Sequence, residues 1–150
     1  MSDAPSLGSR IEIPTDMRDR SDFSVAGFER TMGLEFQEIG PDEVVATLRV
    51  GGRLIDHSGH VHGGVLAGAA EAVASIGTWA GVNDDGSVPL GQNISSRVLA
   101  DVKEGARLEF SARLLSAAPD VWTWLVETQD DQDRLCATAT VSVAVRQAKA

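Results

Sequence analysis

Between Gly63 and Val82 the chain runs GGVLAGAAEAVASIGTWAGV, twenty residues with a single charged side chain, Glu71. Alanine and leucine favour a helix here, although the internal glycines at 64, 68, 77 and 81 each cost about 0.5–1 kcal/mol relative to alanine. An ordinary solvent-facing helix carries several lysines, arginines and glutamates on its outer face. A helix this apolar has to be buried nearly all round, so the remaining chain must wrap it. Small residues recur at Gly64, Gly68 and Ala72, a smooth stripe against which something packs unusually close. Asn83-Asp84-Asp85-Gly86 then ends the helix with turn chemistry.

The wrapping is strand-like. Leu34 to Val50 reads as two strands broken at Gly40-Pro41-Asp42, and in the second Ala46, Leu48 and Val50 alternate with Val45, Thr47 and Arg49. After the helix come Val88 to Leu99, Ala106 to Leu115, Val121 to Glu127 and Leu135 to Val145. In the third of these, Trp122, Trp124 and Val126 share one face; in the fourth, Ala137, Ala139, Val141 and Val143 alternate with Cys136, Thr138, Thr140 and Ser142. The links are short, so three or four consecutive strands are expected to form an antiparallel meander. A short helix is expected over Ser24 to Arg30, ending near Gly33. Residues 1–22, with Pro5, Pro14 and a DMRDRSD cluster, read as a flexible or loosely docked arm, and 23–150 as one domain. One helix wrapped by a curved antiparallel sheet is an α+β solution.

Composition removes several classes. The 150 residues suit a single domain. Thirteen Lys and Arg against 22 Asp and Glu give a net charge of −9, with lysine only at Lys103 and Lys149, which argues against a nucleic-acid partner. No uninterrupted apolar run approaches the ~18 residues of a membrane span. One cysteine, Cys136, excludes an internal disulfide. The N-terminal stretch lacks an apolar signal-peptide core, and a cytoplasmic protein is expected.

The chemistry gathers around the start of the helix. His57, His60 and His62 are all the histidines of the chain, and His62-Gly63-Gly64 leads directly into it. On the helix, Glu71, Ser75 and Thr78 are spaced i, i+4, i+7 and share a face. A lone carboxylate on so apolar an element is costly unless it has a task. The first N–H groups of a helix lack partners and carry the positive end of its dipole, and Gly63 and Gly64 let a ligand carbonyl reach them. Gly63 and Glu71 are eight residues apart, about 12 Å along a helix, too far to act on one carbonyl. Two such helices, antiparallel about a two-fold axis, would bring Glu71 of one beside Gly63 of the other, which predicts two equivalent sites per dimer. A competing reading makes the histidine trio with Asp56 a metal site.

Asp56-x-x-Gly59-x-x-His62-Gly63-Gly64 followed by Glu71 resembles the hotdog-fold acyl-CoA thioesterases, and most of all the phenylacetate-pathway and 4-hydroxybenzoyl-CoA type that uses glutamate. The resemblance extends from about Gly33 to Arg146 and includes Gly91-Gln92-Asn93 and Val102-Lys103-Glu104-Gly105. It implies a hotdog fold and hydrolysis of an acyl- or aryl-CoA ester, with coenzyme A as part of the substrate and no other cofactor or metal. Glu71 would be nucleophile or general base, and the Gly63 N–H the oxyanion donor beside Gly64. His62 would orient the first turn, and Ser75 would position water or the acyl group. It also implies a homodimer that pairs into a dimer of dimers. Two departures stand out: Asp56 occupies a position where the family usually has Asn or Gln, and Ala117-Ala118-Pro119-Asp120 stands where relatives often carry a Gly-rich, Ser/Thr or basic loop against the coenzyme phosphates. Arg97 and Arg146 are the arginines expected to take those phosphates instead. The acidic residue at 56 also keeps open a protein that binds acyl thioesters without hydrolysing them. Trp79, Trp122 and Trp124 suit either a pocket or the core.

Overall fold

The computed structural model describes residues 11–12, 27–82 and 86–147. A short helix α1 (Phe28–Met32) ends on Gly33, whose φ of 78° is the left-handed conformation that lets the chain turn sharply into a strand. Strands β2 (Glu35–Ile39) and β3 (Glu43–Arg49) form a hairpin, and β1 (Ile11–Glu12) pairs antiparallel with β2. Of the expected N-terminal arm, these two residues are on the sheet and the rest lies outside the described residues. Helix α2 (Gly63–Val82) matches the expected span and is followed by β4 (Ser87–Val98), β5 (Arg107–Ala117), β6 (Val121–Asp130) and β7 (Leu135–Gln147).

Among the described residues, seven strands make one antiparallel sheet in the order β1-β2-β3-β5-β6-β7-β4. Only β5, β6 and β7 form a meander. The first long strand after the helix, β4, pairs with β7 at the far edge instead of joining the meander beside β5. Helix α2 touches every strand from β2 to β7, so the sheet wraps it. Although long and apolar enough to cross a membrane by composition, it is the core helix of the domain.

The close packing anticipated along the helix occurs at Gly64 and Gly68, where a Cβ would stand 2.9 Å from the His62 and Phe28 rings, and it is tighter still further on, at Gly77 and Gly81. A Cβ at Gly77 would stand 2.5 Å from Trp124 Cη2, and one at Gly81 would collide with Trp122. Trp122 and Trp124 are therefore core, their ring centroids 6.4 Å apart. Thr78, expected on the polar face, is fully buried: its hydroxyl donates to the Ala74 carbonyl at 2.9 Å and accepts from Trp124 Nε1 at 2.9 Å. Cys136, expected on the polar side of β7, is also buried, its thiol 3.2 Å from the Arg134 carbonyl where residues 99–101 fold against the start of the strand. One stripe of α2 stays open: Gly64 is exposed, and Ala67, Gly68, Glu71 and Ser75 are half-buried.

Candidate active site

The chain enters α2 through a small hairpin. Ile55 and Val61 form a β-bridge, the Asp56 N–H donates to the His60 carbonyl at 2.7 Å, and the Gly59 N–H donates to the Asp56 carbonyl at 3.1 Å. Gly59 has φ 83°, which favours glycine at this turn. The Asp56 side chain closes the hairpin from within: Oδ1 accepts the Ser58 N–H at 2.8 Å, the Ser58 hydroxyl at 2.5 Å and the His60 N–H at 3.4 Å. The Ser58 hydroxyl, then its N–H, hold the Asp56 carboxyl below the usual range, so it is ionised and only accepts. Its shorter bonds are to Ser58, and no histidine side chain bonds to it among the described residues.

The histidines have separate partners. The Ser58 proton goes to Asp56, so His60 Nδ1, 3.0 Å from Ser58 Oγ, must carry its own; Nε2 lies 3.9 Å from Asp101 Oδ2. His62 Nδ1 accepts the Gly64 N–H at 2.8 Å, which puts the neutral ring's proton on Nε2. A Cβ at Gly64 would stand 2.9 Å from His62 Nδ1, so glycine is what lets the ring lie on the first turn. The Val65 N–H takes the His62 carbonyl at 2.9 Å, leaving the Gly63 N–H without an acceptor among the described residues. Among those residues no three His, Cys, Asp or Glu converge as metal ligands.

Two turns into the helix, Ser75 Oγ donates to Glu71 Oε1 at 2.6 Å. Glu71 is half-buried, less enclosed than its apolar helix implied, and its carboxylate rests on the backbone of Gly91. There β4 carries a bulge, with Gly91 opposite Val143 and Asn93 opposite Ser142, so Gln92 is the extra residue. Gly91 lies in a segment that the family resemblance includes without giving it a role. Its lack of a side chain is what admits the carboxylate. The sequence gives no signal for a second neighbour: Phe28, 56% exposed, lays its ring on Gly68, one turn before Glu71.

Residues 58–137 match the model of the thioesterase superfamily. The chain belongs to that family. A Mycobacterium tuberculosis protein that bears the name of an esterase is 33% identical over 116 residues, 76% of this chain and 82% of its own. Its solved structure superimposes with a TM-score of 0.77 at 31% identity, covering 82% of this chain and 98% of that one. The proofreading thioesterase EntH of Cronobacter turicensis is 29% identical over 122 residues, 81% of this chain and 88% of its own. The 1,4-dihydroxy-2-naphthoyl-CoA hydrolase of Listeria monocytogenes is 25% identical over 120 residues, 80% and 96%. Helix and sheet together are the hotdog arrangement, and thioester hydrolysis is the activity class of the family.

Within this thioesterase the expected site residues fall into three groups. His62, Gly63 and Gly64 lie together at the start of α2, with Asp56 bracing the loop before them. Glu71 and Ser75 lie together farther along the helix. The two arginines join neither group. Arg97 is opposite Thr138 on β7, in the register that alternates with the inward Ala137 and Ala139, so it points away from the helix. Arg146 donates to the Asp120 carbonyl at 3.3 Å, at the end of β7 remote from Gly63. The inner side of β4 links the two groups that remain: Gly63 stands beside Val98, 3.7 Å from its would-be Cβ, and Glu71 beside Gly91.

Proposed function

We propose that the chain hydrolyses an acyl- or aryl-CoA thioester to the free acid and coenzyme A, in a site completed by a second copy of itself. The observation that carries this is the Glu71 carboxylate, pinned by Ser75 and laid on Gly91, on the same helix whose first N–H, that of Gly63, has no acceptor among the described residues. One is a nucleophile or base and the other an oxyanion donor, and a thioester needs both. Its thiolate leaves with little help from a proton, which suits a site with no acid placed for that step. The CoA ester named for the Listeria relative favours an aryl group.

The two halves meet through β4. Among the described residues this strand pairs with β7 on one side only, and Ile94 and Val98 on its inner side are exposed although apolar. Antiparallel pairing of β4 with a second β4, in the register that sets Gly91 opposite Val98 of the partner subunit, brings Glu71 beside the partner's Gly63. In the proposed reaction Glu71 attacks the carbonyl carbon, or takes a proton from water that does. Charge develops on the carbonyl oxygen against the partner's Gly63 N–H and the helix dipole. The C–S bond then breaks, releasing the thiolate; after direct attack, water opens the acyl–glutamyl anhydride to free the acid and restore Glu71, and after attack by water the proton on Glu71 passes to the departing thiolate or to solvent. His62 holds the first turn through Gly64 and keeps its Nε2–H free for the substrate. We place the enzyme in the cytoplasm as a dimer of dimers, without a metal. Arg97 and Arg146 are the first candidates for the coenzyme phosphates only if a neighbouring subunit presents them.

The test is thiol release from a panel of CoA thioesters by wild type and Glu71→Ala. Wild type is expected to turn over at least one aryl or acyl ester, and the variant to lose about 10²-fold or more while staying folded. Binding without thiol release would make the chain a carrier, and an unchanged rate in Glu71→Ala would remove Glu71 from the chemistry.

A further inference from the structure

We propose that Asp56 is a positioning residue: its Oδ1, as a hydrogen-bond acceptor, closes the 55–61 hairpin and so sets the place of the Gly63 N–H. The proposal rests on the reading of Gly63 as oxyanion donor. It departs from a role in which residue 56 meets the substrate itself. Among the described residues, every polar contact of Asp56 Oδ1 is internal to the hairpin: the Ser58 N–H at 2.8 Å, the Ser58 hydroxyl at 2.5 Å and the His60 N–H at 3.4 Å. An ionised carboxylate has no proton to give a substrate carbonyl, and this one is already engaged by three donors.

The brace leads directly to the helix. Val61 is bridged back to Ile55 and gives its N–H to the Val102 carbonyl at 2.7 Å, while the His62 N–H reaches the Leu54 carbonyl at 2.8 Å. Gly63 is the next residue, so the direction of its N–H is inherited from a hairpin tied on both strands. The tie continues outward from Ser58 to His60, which is bridged to Lys103 and whose Nε2 faces Asp101. The Asp101 carbonyl in turn accepts from Arg134 at 2.9 Å. Ile55 and Val61 seat the base of the hairpin on the core, but its tip has no apolar burial, since His57, Ser58 and Gly59 are all exposed. Hydrogen bonds therefore set its shape, and Asp56 is where three of them meet. The consequence is a site whose oxyanion is held by main-chain N–H alone, with no side-chain amide from position 56.

The test compares Asp56→Ala with Asp56→Asn, whose Oδ1 accepts the same bonds. For Asp56→Ala we expect exchange of the Ser58 amide to quicken by about ten-fold and the Gly63 amide resonance to shift. On the best CoA thioester kcat should fall about ten-fold with KM changed by less than about three-fold, as misplacement of a transition-state donor does. Asp56→Asn should restore exchange, the Gly63 resonance and kcat to within about three-fold. Unchanged exchange in Asp56→Ala overturns the proposal. So does an Asp56→Asn variant as slow as Asp56→Ala, since that would make the charge itself the requirement. The exchange and resonance arms use no substrate: a wild-type chain inert toward every thioester would defeat the functional reading, while the brace is still decided at Ser58 and Gly63.

Discussion

The carboxylate of Glu71 lies on the main chain of Gly91, so closely that a Cβ at residue 91 would overlap its Oε1. This contact joins the middle of the core helix to the bulge of the edge strand, and Ser75 completes the clamp from the same helix.

Gly91→Ala should therefore behave as an active-site variant although it carries no reactive group. The methyl group must displace Glu71, and displacement of a catalytic group by about 1 Å costs on the order of 10²-fold in rate. Thiol-release kinetics should show that loss in kcat, with the thermal midpoint lowered by only a few degrees.

Two inactive variants should rescue each other. Gly63→Pro removes the donor N–H at a helix position where proline is tolerated and where a side chain finds space beside Val98. Mixed with Glu71→Ala and allowed to exchange subunits, it should regain about a quarter of wild-type activity. Half of randomly formed two-fold dimers are mixed, and each of those has one intact site if Glu71 acts with the partner's Gly63. A site within one chain predicts no recovery.

Val98→Asp would set a charge on the inner side of the free edge strand. It should yield a monomer in sedimentation analysis and lose hydrolysis, because in the proposed shared site neither half is complete alone. Activity retained by a monomer would refute the shared site.

The glycines of the core helix should separate by what they touch. Gly77→Ala forces a methyl against Trp124 and Val44 in a filled core, an overpacking that costs about 1–3 kcal/mol, only partly offset by the better helix propensity of alanine. Gly68→Ala meets only the ring of Phe28, which is mostly exposed and free to swing aside. Urea denaturation should find the first clearly destabilised and the second near neutral.

Asp56 and Asp130 are both held below the ordinary carboxylate pKa, the first by the Ser58 hydroxyl and the second by the Arg134 N–H. A group with a lowered folded-state value contributes stability that is present above its unfolded value, about 3.9, and lost as pH falls through the folded one. Both turns should thus be unaffected from neutral pH down to about 5 and loosen only in stronger acid. A carboxyl-detected NMR titration would read this directly, and a midpoint above 4 at either residue would contradict it.

Much of this was written in local pattern. The span of Gly63–Val82 follows from its lack of charge and its flanking glycines and turn residues, and β3, β5 and β6 bury the alternate residues that their period-two sequences nominate. His62-Gly63-Gly64 and Glu71 were likewise visible, because spacing on a helix is a local property. What needed the tertiary structure was every question of which neighbour arrives from far along the chain. Sheet closure, not sequence adjacency, seats β4 beside β7. Residue parity assigns Thr78 and Cys136 a side but not a cover, and Trp124 and residues 99–101 supply it. Only folding decided that Gly91 lies under Glu71 and that Asp56 turns inward to Ser58, since these depend on the approach of separate backbones and on a side-chain rotation that no periodicity encodes.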